Sequence, residues 1–165
     1  MNYFTVFLIF FVNFIFQTTV FQYFEIFGVI PNTTLLLVLF FSFLFKEKFG
    51  IVYGVIFGIL QDVFFGEIVG IAAFIYFTIG LLTYEMKSYV YKDTLFTPVI
   101  ITLIGGTYYH LMYWLLMRLF ASNINFLYIL KNVYVIEIFY DIFIALVIYK
   151  LLFKRIFDYD YRRYG

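Results

Sequence analysis

From Asn2 to Phe24 the chain carries no charged side chain, and from Ile26 to Phe45 it again carries none. Runs of this kind recur as far as Tyr149, each closed by a charge or a turn former. Side chains that are 65% apolar and only 13% charged cannot be hidden inside a water-soluble fold of 165 residues, because a fold of that size keeps a large surface. The solvent that tolerates such a surface is lipid, and about 20 apolar residues in a helix cross its hydrocarbon. The expected fold class is all-α: a polytopic membrane protein, a six-helix transmembrane bundle. The spans fall at about 3–24, 30–46, 49–66, 68–86, 95–119 and 131–153, in a single integral membrane domain over residues 1–165. The second and third are short, and a re-entrant hairpin is the alternative there. Pro31 suits the first turn of the second helix, where its missing N–H is no loss. Asn32, Thr33 and Thr34 can bond the free backbone groups beside it.

Basic residues test the count. With six spans, Lys46, Lys48, Lys87, Lys92, Lys150, Lys154, Arg155, Arg162 and Arg163 all fall on the side of the termini. Arg118 and Lys131 fall opposite. The excess marks the cytoplasmic face, so both termini are expected inside. The apolar stretch Phe4–Phe16 has no Lys or Arg before it and no small-x-small site after it, which reads as an uncleaved first span.

Several function classes drop out. A net charge of +1 leaves no basic footprint for nucleic acid. With no cysteine and one histidine, thiolate and multi-histidine metal sites are excluded, and nothing calls for a cofactor. No nucleophile–base pair is visible, so an enzyme is not expected. The terminal "KRIFDYDYRRY" is basic and aromatic. It suits anionic headgroups, at about 1 kcal/mol per nearby Lys or Arg, or a cytoplasmic filament.

Within "GIVYGVIFGILQDVFFGEIVG", Gly50, Gly54, Gly58, Asp62, Gly66 and Gly70 fall every fourth residue. Four residues turn a helix by about 400°, so Gly50, Gly54 and Gly58 form one nearly continuous stripe without side chains. Such stripes let helices approach closely in lipid. Close packing of span three as the central helix is one reading, and a docking groove for another protein's helix is the other. Asp62 lies a turn further on, where it either bonds free amides of the next helix or joins a polar site. Gly66 and Gly70 belong to the turn into span four.

Other intramembrane polar groups share its depth. Glu137 and Asp141 are four apart, on one face of span six, about 9 and 15 Å below Lys131. His110 lies about 12 Å deeper than Arg118 on span five. Asn13, Gln17, Thr18, Thr19 and Gln22 make the outer half of span one polar. The expectation is a polar cluster of Asp62, His110, Arg118, Glu137 and Asp141, open to the outside and built by spans one, three, five and six. Arg118 is the expected partner of Glu137. The excess acid is then met by a proton, a cation or a partner's basic residue. A structural hydrogen-bond network, a ligand or partner site and a proton path are the three readings. The path is disfavoured because the inner halves are apolar.

"LQDVFFGEIVG" fits the pattern L-x-D-x-x-x-G-x-x-x-G, carried by Leu60, Asp62, Gly66 and Gly70, and "PNTTLLLVLFFSF" adds Pro31 and a Leu-rich start to span two. These stretches resemble the MreD family, the small membrane subunit of the rod-shape elongation machinery. The specific part of the resemblance covers about 31–71. The resemblance implies a non-enzymatic scaffold in the bacterial cytoplasmic membrane. Its implied partners are an MreC-like bitopic protein, a RodA-like polymerase, a class B penicillin-binding protein and, directly or indirectly, cytoplasmic MreB. It also implies a bundle resembling the substrate-binding subunits of energy-coupling-factor vitamin transporters. A small-molecule uptake subunit of that type is the alternative function. Against it, Tyr3–Phe24 contains no alanine, whereas those subunits share an Ala-x-x-x-Ala contact in span one.

Overall fold

A computed structural model gives the fold, and it describes residues 2–45, 47–89, 96–120 and 133–164, with backbone alone from 153 onward. Among these residues there are six α-helices. Helix α1, Tyr3–Ile15, continues through a π turn, Phe16–Val20, and a 3-10 turn, Phe21–Phe24. Then follow α2 (Thr33–Leu44), α3 (Phe49–Phe65), α4 (Ile71–Met86), α5 (Phe96–Phe120) and α6 (Val135–Tyr164). One apolar cluster takes residues from all six, from Val6 on α1 to Leu152 on α6.

Among the described residues, two segments, Tyr3–Phe24 and Phe96–Phe120, are long and apolar enough to cross a membrane. Helix α2 is not. Its 12 residues rise about 18 Å against about 30 Å of hydrocarbon. Its helix begins at Thr33 rather than at 30, so Pro31 sits before the cap and not in the first turn. The sixth helix runs to Tyr164, well past the expected end at 153.

The centre of the bundle is α2, not α3. Every residue from Thr33 to Leu44 is buried, as expected of a helix that is apolar all round. The other five helices surround it and turn large apolar side chains outward, among them Phe4, Val63, Phe77, Ile104 and Phe143. The glycines of α3 face inward. A Cβ on Gly50 would collide with the Ser42 side chain and the Val38 carbonyl of α2. One on Gly54 would lie 2.9 Å from a Val38 methyl, and one on Gly58 would lie 2.6 Å from the Ala73 Cα of α4. The stripe is thus filled by this chain's own α2 and α4, which leaves no groove there for a foreign helix.

The approach to α2 is not helical. Ile26 and Val29 exchange two backbone hydrogen bonds of 3.0 Å around Phe27 and Gly28, both at positive φ (54° and 77°). The chain then enters the bundle through Ile30, Pro31 and Asn32, the last two buried. At the opposite end of α2, Lys87 Nζ donates to the Phe45 carbonyl at 3.4 Å and lies 3.2 Å from the centre of the Tyr84 ring. Of the basic residues used to orient the chain, Lys46, Lys92, Lys131 and the side chains of Lys154, Arg155, Arg162 and Arg163 lie outside the described residues.

Candidate functional site

Two buried carboxylates hold the starts of two helices. Asp62, 4% exposed, sits near the end of α3 and reaches the first turn of α4. Its Oδ2 accepts from the Gly70 N–H at 2.9 Å and the Ala73 N–H at 3.3 Å, and its Oδ1 accepts from the Ala72 N–H at 3.0 Å. These are amides with no partner inside the helix, at the positive end of its dipole. The spacing has a geometric reason. Gly66 closes α3, where a Cβ would come within 2.7 Å of the Asp62 carbonyl. Gly70 caps α4 at φ +106°, a conformation costly to residues with a Cβ. Together the two glycines bring α4 back onto the carboxylate.

Asp141, 1% exposed on α6, does the equivalent for α2. Its Oδ1 accepts from the Asn32 N–H at 2.9 Å. Asn32 Oδ1 in turn accepts from Leu35 N–H at 3.1 Å, capping α2, and from the Tyr76 hydroxyl at 3.0 Å. That hydroxyl also lies 2.9 Å from Gln61 Oε1. Non-helical backbone inside a membrane protein survives only where its polar groups are satisfied. Asn32 has Asp141, and Pro31 has no N–H to satisfy. From α1, Asn13 Nδ2 donates to Thr34 Oγ1 at 3.1 Å, and Thr34 donates to Gln17 Oε1 at 2.6 Å. The threonines therefore tie α2 to α1 rather than capping α2. Thr18 and Thr19 donate back to the Ile15 carbonyl beside the π turn, a habit that bends helices.

Glu137 differs from both. Its Oε2 lies 3.1 Å from His110 Nε2. It lines a cavity of about 350 Å³ together with His110, Tyr109, Tyr113, Gln17 and Gln61. The entering segment, Ile30 to Asn32, forms another wall. Tyr76, Tyr109 and Tyr113 stack in sequence, with ring centres 5.7 and 6.1 Å apart. A smaller cavity of about 160 Å³ adjoins it and shares Gln17, Ile30 and Gln61.

The five residues expected to cluster are therefore distributed. His110 and Glu137 meet, and Asp141 lies one turn below Glu137 on the anchor of α2. Asp62 is spent on α4, while its neighbour Gln61 faces the cavity. Arg118 is exposed, its guanidinium carbon 5.5 Å from the centre of the Trp114 ring. The expected Arg118–Glu137 pair is thus replaced by His110–Glu137. The eight residues from His110 to Arg118 rise about 12 Å, so the histidine is the group at the depth of the acid. The start of α2 and Tyr76 of α4 belong to the network as well, beyond the four spans expected. Among the described residues no three His, Asp or Glu side chains gather as metal ligands would.

The sequence matches the family model for MreD, rod shape-determining protein MreD, over residues 1–156. The chain belongs to the MreD family. Membership makes it a membrane protein of the rod-shape system, and the outward apolar side chains of five helices fit that solvent. No curated protein and no solved structure matches it. In this MreD chain, the Asp-x-x-x-Gly-x-x-x-Gly stretch is the device that joins α3 to α4.

Proposed function

We propose that this MreD-family chain is a non-enzymatic scaffold for lateral peptidoglycan synthesis. It couples an MreC-like bitopic protein, a RodA-like polymerase and a class B penicillin-binding protein to cytoplasmic MreB. The observation that carries this reading is a core closed around α2 with apolar faces left on the five surrounding helices. A bundle whose helix starts are tied by buried carboxylates holds its outer faces in fixed relation, which is what several membrane partners need from a common platform. In this reading both termini are cytoplasmic, as the distribution of Lys and Arg suggests, and the short α2 makes its crossing inside the bundle together with the non-helical segment before it. The compact arrangement proposed is that of the six-helix substrate-binding subunits of vitamin transporters.

The polar cavity of about 350 Å³ favours a second reading, a subunit for small-molecule uptake. Depletion in a rod-shaped host separates the two. The scaffold reading expects cells that round up with vitamin uptake intact. Normal rods with a lost uptake activity would overturn it.

A further inference from the structure

The three intramembrane acids are compensated unequally. Asp62 is held by three amides at the start of α4, and Asp141 by the Asn32 amide before α2. Both sit at the positive ends of helices. Glu137 lies in the first turn of its own helix, α6, and accepts no hydrogen bond from another helix's start among the described residues. It is 7% exposed, and one oxygen meets His110, while no described residue hydrogen-bonds the other. Arg118, the nearest strong cation on α5, is engaged over Trp114. Among the described residues this carboxylate, its side chain 10% exposed, has His110 as its one polar partner and lines a cavity.

We propose that this cavity is a binding site for an organic cation, an ammonium or guanidinium group whose charge meets Glu137. The walls suit that chemistry. Tyr109 and Tyr113 offer aromatic rings, and cations are attracted to the faces of such rings. Gln17 uses its carbonyl oxygen on Thr34, so its amide N–H groups remain for an acceptor beside the cation. A bare metal ion fits poorly. Hard cations want six or more oxygens, and among the described lining residues Glu137 supplies one carboxylate. The volume of about 350 Å³ lies in the range of small-molecule sites. The group enters on a free small molecule or on a basic side chain of a partner. The proposal does not depend on the scaffold role.

The test uses the full chain in detergent, with thermal unfolding measured against n-butylammonium and guanidinium. n-Butanol, urea and sodium chloride at matched ionic strength serve as controls. The expected result is saturable stabilisation by both cations and none by the controls. Glu137→Gln should weaken it roughly tenfold, the scale of one charge-assisted hydrogen bond. Tyr113→Leu should weaken it by a smaller factor and keeps the result interpretable if Glu137→Gln does not fold. Native mass spectrometry of the protein as purified separates the sources. A bound amine that is absent from the variants assigns the site to a free ligand. An empty protein that still takes n-butylammonium assigns it to a partner's side chain. Equal responses to cations and neutral controls, or full response in both variants, would overturn the proposal.

Discussion

Gly58→Ala should damage the bundle far more than Gly105→Ala, although both add one methyl group at a buried helix contact. At Gly58 the new Cβ would lie 2.6 Å from the Ala73 Cα and 2.8 Å from the Ala73 nitrogen. Both are backbone atoms, so restoring an ordinary contact of 3.4 Å or more requires α3 and α4 to separate. That separation pulls Asp62 away from the start of α4, where its longest bond is already 3.3 Å. Overpacking of this kind costs about 1–3 kcal/mol, partly offset by the roughly 1 kcal/mol that alanine gains over glycine in a helix. At Gly105 the Cβ meets Leu39 Cδ1 at 2.5 Å, the end of a side chain that can change rotamer. The net effect there should be within about 1 kcal/mol of zero. Reversible unfolding of the full chain in mixed micelles measures both. Equal losses, or a Gly58→Ala protein more stable than the parent, would refute the claim that α3 and α4 meet backbone to backbone at this point.

Further outcomes follow from the buried polar contacts. Asp62→Asn should lose about 2 kcal/mol in the same assay, because an amide NH₂ then faces amides that need acceptors. Gly70→Ala should lose about 1–3 kcal/mol through its positive φ, and Gly70→Asn less, since asparagine tolerates that region better. Asp141→Leu should lose more than about 2 kcal/mol by stranding the Asn32 amide, whereas Asp141→Asn keeps an acceptor and should lose less. Hydrogen exchange at Asn32 would report the same order, fastest in Asp141→Leu.

What was legible in the sequence follows from where the physics is local. Apolar runs closed by charges mark helices whatever their surroundings, so each expected run holds a helix among the described residues, although the sixth extends past its expected end. Asp62 stands out because the glycines around it set a helical spacing, and the turn it closes lies eight residues away. The central place of α2 was not legible. A helix with no polar face looks the same whether lipid or protein surrounds it, and only its 12-residue length hints at burial. The Asp141–Asn32 bond joins residues 109 apart, and Tyr76 reaches Asn32 across 44. Such pairs of ordinary residue types leave no local pattern. The sequence offers Arg118 as the strong cation for Glu137, but the acid meets His110, about 12 Å deeper along α5.

The scaffold role is tested most directly by what holds the partners together. An affinity-tagged MreC-like protein is recovered from solubilised membranes with and without this chain, and the RodA-like polymerase that comes with it is quantified. The account predicts that recovery of the polymerase collapses when this chain is absent and returns when it is restored. Unchanged recovery in its absence would contradict it.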